Sequence, residues 1–124
     1  MEKKKKILIV EDEVIHALSL QMSIEKKGYD TCKIVSNGED AIIIADKDNP
    51  DLVIMDINLA GHMDGFKAAE IIKSKHDIPI LFLTGYSDKT IAIKADSFEN
   101  SICMNKPVSP ERIIFEIEKI FNGS

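Results

Sequence analysis

The feature that most limits how this chain can fold is a strict alternation of short apolar runs with helix-patterned segments, repeated five times. The runs lie at about Lys5 to Val10, Tyr29 to Val35, Leu52 to Met55, Ile78 to Leu83 and Ser101 to Met104. Helical segments are expected at about Glu13 to Lys27, Glu39 to Lys47, Asp64 to Lys75, Asp88 to Asp96 and Pro110 to Phe121. Short apolar runs bounded by turn residues read as strands buried on both faces. Strands that alternate with helices pair in parallel, with helices covering both faces of the sheet, and right-handed crossovers leave few topologies.

For five such strands the expected fold is an α/β, doubly wound, flavodoxin-like (βα)5 sandwich of strand order 2-1-3-4-5, with its switch point between strands one and three. Local signals agree with these boundaries. Gly28 closes the first helix, Asp48-Asn49-Pro50 stops the second, and Ser109-Pro110 opens the last. Strand two alternates Asp30, Thr31 and Lys33 with apolar residues, as an edge strand does. The first helix carries two apolar stripes, Val14, Ile15, Leu18 and Met22 on one side and Ala17, Leu20 and Ile24 on another. One stripe packs on the sheet; the other either widens that buried face, the more economical reading, or is left half-exposed for a partner.

At 124 residues and 44% hydrophobic, the chain reads as one domain spanning 1–124. Its net charge of −5 argues against direct nucleic-acid binding, and Lys3 to Lys6 read as a solvated lead-in to strand one. No signal-peptide pattern or membrane-length apolar window is present, so a cytoplasmic location is expected. Cys32 and Cys103 fall in strands at opposite edges, too far apart to bridge, and read as buried thiols of a reducing compartment.

The chemistry gathers where the strands end. Leu52 to Met55 run into Asp56, and strand one runs into Glu11, Asp12 and Glu13. An Asp after a strand is often only a turn former or a helix cap, but two neighbouring parallel strands would bring both acidic groups to one spot. Hard oxygen ligands so gathered suit Mg²⁺. Strand four ends in Thr84 and strand five leads to Lys106-Pro107. Phosphoryl transfer to a carboxylate would use all of these groups. Asp56, already ionised near neutral pH, is the nucleophile; Asp12 and Asp56 hold the metal with a loop carbonyl at Asn58; Lys106 and the Thr84 hydroxyl meet phosphoryl oxygens. Like charges about 4 Å apart repel by roughly 4 kcal/mol at an effective dielectric of 20, so the acids and an incoming dianion need both the cation and Lys106.

Glu11-Asp12, Asp56, Thr84 and Lys106-Pro107, in this order, resemble the receiver domain of two-component response regulators, and the resemblance covers the whole chain. It implies phosphotransfer to Asp56 from a sensor histidine kinase or phosphotransfer protein, with Mg²⁺ bound through Glu11, Asp12, Asp56 and the Asn58 carbonyl. It also implies a signalling face built from helix four, strand five and helix five, open to homodimerisation. Such a protein is no enzyme beyond catalysing its own phosphorylation and dephosphorylation. Two features depart from the family pattern. Cys103 stands where an aromatic residue commonly precedes the lysine by three places; Phe98 or Tyr86 could substitute, Phe98 reading equally as a plain core residue. The loop Leu59 to Met63 lacks the common proline and is one residue longer. Gly85 leaves room for a phosphoryl donor, and Tyr86 is placed to screen attacking water.

Other residues carry weaker signals. His16 and His76 are expected on solvated helix surfaces, and His62 lies in the loop beyond Asp56. Met55, Met63 and Met104 read as packing residues. Ile113, Ile114, Ile117, Ile120 and Phe121 share one helix face while Phe115 points nearly opposite, which marks either a partner surface or a lone surface aromatic. Two further functions compete. An aspartyl-nucleophile phosphatase needs an acid two residues after Asp56, where Asn58 stands. A receiver-like binding module that is never phosphorylated would not need the full set of Asp12, Asp56, Thr84 and Lys106.

Overall fold

The computed structural model describes residues 3–59, 61–85 and 89–123. Among the described residues ten elements alternate: β1 (Lys6–Val10), α1 (Val14–Lys26), β2 (Asp30–Thr31), α2 (Gly38–Asp48), β3 (Leu52–Asp56), α3 (Gly65–Lys75), β4 (Ile80–Thr84), α4 (Lys89–Asp96), β5 (Ser101–Asn105) and α5 (Pro110–Asn122). The strands form one parallel sheet of order β2-β1-β3-β4-β5, the expected flavodoxin-like arrangement. β3 is central, paired with β1 from Ile7↔Leu52 to Val10↔Met55 and with β4 from Val53↔Ile80 to Asp56↔Leu83. That register sets the ends of β1, β3 and β4 side by side.

The sheet divides the core in two. On one side Leu8, Val10, Val53, Met55, Ile80 and Phe82 pack against Ala41 and Ala45 of α2, Phe66 and Ile72 of α3, and Ala95 of α4. On the other, Ile7, Ile9, Leu52, Ile54, Leu81 and Leu83 pack against Ala17, Leu20 and Ile24 of α1 and Ile113, Ile114 and Ile117 of α5. All five residues of β3 and of β4 are buried, which explains why those runs are apolar at successive positions instead of alternating. Helices α2, α3 and α5 start at side-chain caps, unlike α1: Asn37 accepts the Asp40 amide at 2.8 Å, Asp64 that of Lys67 at 2.9 Å, and Ser109 that of Arg112 at 3.2 Å. Gly28 follows α1 at φ +98°, a left-handed conformation that glycine adopts without steric cost.

Several expectations need correction. Strand two shrinks from Tyr29–Val35 to Asp30–Thr31 plus an isolated bridge between Val10 and Val35. Amides of Cys32 and Val35 still reach the carbonyls of Ile7 and Ile9, but at an edge no outer strand holds the intervening residues in the ladder. Cys32 therefore lies beyond β2, buried, and Cys103 in β5 is only half-buried. Both are free thiols, and burial pushes Cys32 up to about 11, far from a reactive thiolate. The first helix does not bury a wide face. Ala17, Leu20 and Ile24 face the sheet, while Val14 (68% exposed), Ile15 (80%) and Met22 (70%) stand in solvent beside half-exposed Leu18. Packing on one side of a single sheet gives a helix only one stripe to bury.

His76 is not a solvated histidine either. Its Nε2 lies 2.7 Å from Asp46 Oδ1, and Lys75 Nζ lies 3.2 Å from Asp46 Oδ2, so the end of α2 is tied to the end of α3. These bonds, that of His76 first, hold the Asp46 carboxyl below the ordinary aspartate value of 3.8. A lowered carboxyl stabilises the fold fully above its unfolded value and loses that contribution as pH falls through the folded one. Replacing Asp46→Asn is therefore expected to lower the urea midpoint slightly at neutral pH. The gap from wild type should close as unfolding is repeated at pH values well below 3.8.

Candidate functional site

The carboxyl ends of β1, β3 and β5 bring together four of the residues singled out from sequence. Glu11, Asp12 and Asp56 each offer an oxygen within 4.8 Å of the others. Glu11 and Asp56 are buried, at 6% and 2% exposure, and Asp12 is half-buried. Lys106, carried past the end of β5, reaches between the two buried acids: its Nζ is 3.0 Å from Glu11 Oε1 and 3.1 Å from Asp56 Oδ2. The Lys106 backbone is fixed in turn by its amide, which donates to the Thr84 carbonyl at 2.7 Å. The peptide bond from Lys106 to Pro107 is cis.

The charges are unequal. Three carboxylates face one ammonium, and burial favours the protonated form of Glu11, raising its pKa; the charge of Asp56 adds to this, while bonds from the Glu13 amide and Lys106 offset part of it. Burial alone would make Lys106 a weaker base, but its bonds to Glu11 and Asp56 outweigh that and its pKa is raised. Lys106 thus stays an ammonium, and the cluster keeps a surplus of negative charge. A shared pocket of hard oxygens with such a surplus fits a small divalent cation, and Mg²⁺ in particular tolerates few protein ligands beside water. The donor set of Glu11, Asp12 and Asp56 passes that test on its chemistry.

The second half of the site is polar and uncharged. Asn58 folds back so that its amide donates to Asp56 Oδ1 at 2.9 Å. Its side-chain oxygen accepts from the Thr84 hydroxyl at 3.2 Å and from the Gly85 amide at 3.4 Å. Thr84 is buried at the end of β4, next to Leu83, the register partner of Asp56. All six residues selected from sequence, Glu11, Asp12, Asp56, Asn58, Thr84 and Lys106, therefore meet at one end of the sheet.

The remaining candidates are scattered around it. His62 is exposed and shares a shallow rim with Asp12, Asn37 and Gly61. His16 is exposed on α1, 3.5 Å from Glu13, at the edge of a cavity between α1 and α5 that Glu11 and Lys106 also line. Phe98 sits in an aromatic cluster, stacked on Phe66 with centroids 6.0 Å apart and tilted against Phe82 at 5.3 Å. Cys103 pairs with Phe82 in the β4–β5 register and borders the same cluster, so Phe98 is first of all a core residue beneath α4. Tyr86, and Ala60 of the longer loop, lie outside the described residues. Phe115 is 57% exposed on α5, as its helical phase requires, with Lys119 Nζ 5.5 Å from its ring centre.

Sequence reasoning missed one residue that shapes the site. Gly65, the first residue of α3, donates to the Ile57 carbonyl at 3.0 Å, and a Cβ there would meet the Asp56 carbonyl oxygen and lie 2.8 Å from Ile57 Cα. The Asp64-Gly65 pair reads only as a helix start; the close approach depends on where β3 lies in space. Because the obstacle is backbone, it cannot swing aside. Gly65→Ala is expected to cost about 1–3 kcal/mol of stability in chemical denaturation, as overpacking of a tight site does.

Comparison with known proteins agrees with the fold. A family model described as the response regulator receiver domain matches residues 7–118. The transcriptional regulatory protein PdtaR of Mycobacterium tuberculosis is 32% identical over 114 residues, covering 92% of this chain and 55% of that protein. The alkaline phosphatase synthesis transcriptional regulatory protein PhoP of Bacillus subtilis is 33% identical, covering 97% of this chain and 50% of that protein. The chain thus spans about half the length of these curated relatives. Among solved structures, the signal receiver domain of a modulated diguanylate cyclase from Desulfovibrio desulfuricans G20 superposes with a TM-score of 0.86 at 30% identity, covering 98% of this chain and 96% of that one.

Proposed function

Because the chain belongs to the response regulator receiver domain family, we propose that it accepts a phosphoryl group on Asp56 from a sensor histidine kinase or phosphotransfer protein. We take residues 1–124 as one receiver domain, acting in the cytoplasm and without direct contact to nucleic acid. The observation that carries this reading is the convergence of Asp56, Glu11 and Asp12, with the Lys106 ammonium paired to Glu11 and Asp56.

In the reaction one Asp56 oxygen attacks phosphorus, the bond from phosphorus to the donor nitrogen breaks, and the electron pair leaves with the donor imidazole, which is protonated in turn. Asp56 needs no general base, since it enters as a carboxylate. Its other oxygen keeps a hydrogen-bond donor, so the carboxyl plane is fixed before attack. Lys106, freed from part of its bond to Asp56 as that carboxylate's charge is spent, can turn to a phosphoryl oxygen. The Thr84 hydroxyl and Gly85 amide offer donors to another. Mg²⁺, held by Glu11, Asp12, Asp56 and the Asn58 carbonyl, would supply the positive charge that lets a dianion approach three acids.

The output follows from position. Phosphorylation adds about −1.5 to −2 charges beside Thr84, and Thr84 leads into α4. Ile93 on α4 is 71% exposed and Phe115 on α5 is exposed as well, apolar groups that a partner or a second copy could cover if the output runs through α4, β5 and α5. The transcriptional roles named for the relatives belong to those whole proteins.

The decisive experiment is intact mass after incubation with Mg²⁺ and acetyl phosphate. A single phosphoryl adduct is expected, absent with excess EDTA and absent in Asp56→Asn. No adduct in a protein that binds Mg²⁺ would overturn the proposal in favour of a binding module that is not phosphorylated. A second outcome is expected for Lys106→Met. Removing the ammonium leaves Glu11 and Asp56 facing each other without compensation, so the variant should unfold more readily than wild type in the absence of Mg²⁺, with added Mg²⁺ restoring a larger share of its stability. Thermal unfolding with and without the ion measures both.

A further inference from the structure

We propose that the side chain of Asn58 is a positioning residue that occupies, in the resting protein, the seat a phosphoryl oxygen takes on activation. This rests on the phosphoacceptor reading of Asp56. Two donors from β4 and its following turn, the Thr84 hydroxyl and the Gly85 amide, converge on one acceptor, Asn58 Oδ1, at 3.2 and 3.4 Å. A pair of donors aimed at a single oxygen is the geometry that stabilises an oxyanion. Here the oxygen they meet belongs to a neutral carboxamide of the protein itself.

The geometry also says why the seat is temporary. The Asn58 backbone is anchored by its amide to Asp56 Oδ1 at 2.9 Å, so its side chain lies next to the phosphoacceptor whichever way it turns. Asn58 is exposed, and both bonds to its oxygen are long. Hydrogen bonds to a charged phosphoryl oxygen are shorter and about twice as strong as those to a neutral amide. The carboxamide therefore holds Thr84 and Gly85 in place at rest and is displaced by the stronger acceptor. Any phosphoryl group must first compete with it, which weakens the active state by the strength of the bonds lost. The choice of Asn, rather than a residue without an acceptor, sets that resting bias.

The test compares wild type, Asn58→Ala and Asn58→Asp, the last of which keeps an acceptor oxygen at the same reach. In the metal-free protein, the Gly85 amide resonance in ¹H–¹⁵N spectra is expected to move upfield in Asn58→Ala, where its acceptor is gone, and to stay hydrogen-bonded in Asn58→Asp. At saturating Mg²⁺, beryllofluoride, a tetrahedral mimic of the phosphoryl group, should bind Asn58→Ala about threefold to tenfold more tightly than wild type, the worth of one modest hydrogen bond. An unmoved Gly85 resonance would overturn the proposal by removing the contact. A moved resonance with unchanged or weaker beryllofluoride binding would overturn it by removing the competition. If wild type takes neither beryllofluoride nor acetyl phosphate, the proposal falls together with the phosphoacceptor reading, and the wild-type protein alone reveals that case.

Discussion

Three carboxylates crowded around one ammonium set the terms for the rest of this molecule. Each acid is brought there by a strand end, and the sheet has no freedom to separate them: β1 and β3 are paired residue by residue up to the point where Glu11 and Asp56 begin. Coulomb repulsion at such spacing is worth several kcal/mol at the dielectric of a half-buried site. Lys106 offsets part of it, held between Glu11 and Asp56 by charge-assisted bonds near 3 Å. The rest is left as a standing demand for positive charge, which a small divalent cation would meet.

The crowding is tolerable because the scaffold beneath it is rigid. β3 lies at the centre of the sheet with every residue buried, and α3 presses on its end through Gly65, where not even a methyl group fits. Asp56 is therefore a fixed point. To one side β4 ends at Thr84 and Gly85, and there the side chain of Asn58 bridges from the end of β3 to the end of β4. A change of charge at a fixed point is converted to motion only through neighbours that have an alternative bond to make.

Much of this was written in the order of residues. The alternation of apolar runs and helices gave the sheet, and the positions of the acids relative to those runs gave the site, because in a parallel sheet every strand end lies on the same edge. What the chain did not disclose was decided across space. Asp30, Thr31 and Lys33 announced an edge strand, yet not that only Asp30 and Thr31 would keep regular pairing. The two stripes of α1 were visible, but which one is buried depended on the side of the helix the sheet lies. His76 looked like a surface histidine until α2 brought Asp46 against it. Gly65 was legible only as a helix start and the Asn58 side chain only as the lack of an acid there, since the contacts they make depend on ångström-scale approaches to β3 and β4.

The sheet also acts as a partition. Side chains beneath α1 and α5 belong to one packed cluster, and those beneath α2, α3 and α4 to another, with the strands between them. Substitutions more than about 7–10 Å apart that share no partner contribute nearly independently to stability. The exposed apolar stripe of α1 and the exposed positions of α4 thus rest on different foundations. A substitution can therefore redraw the surface on one side without disturbing the packing that supports the other.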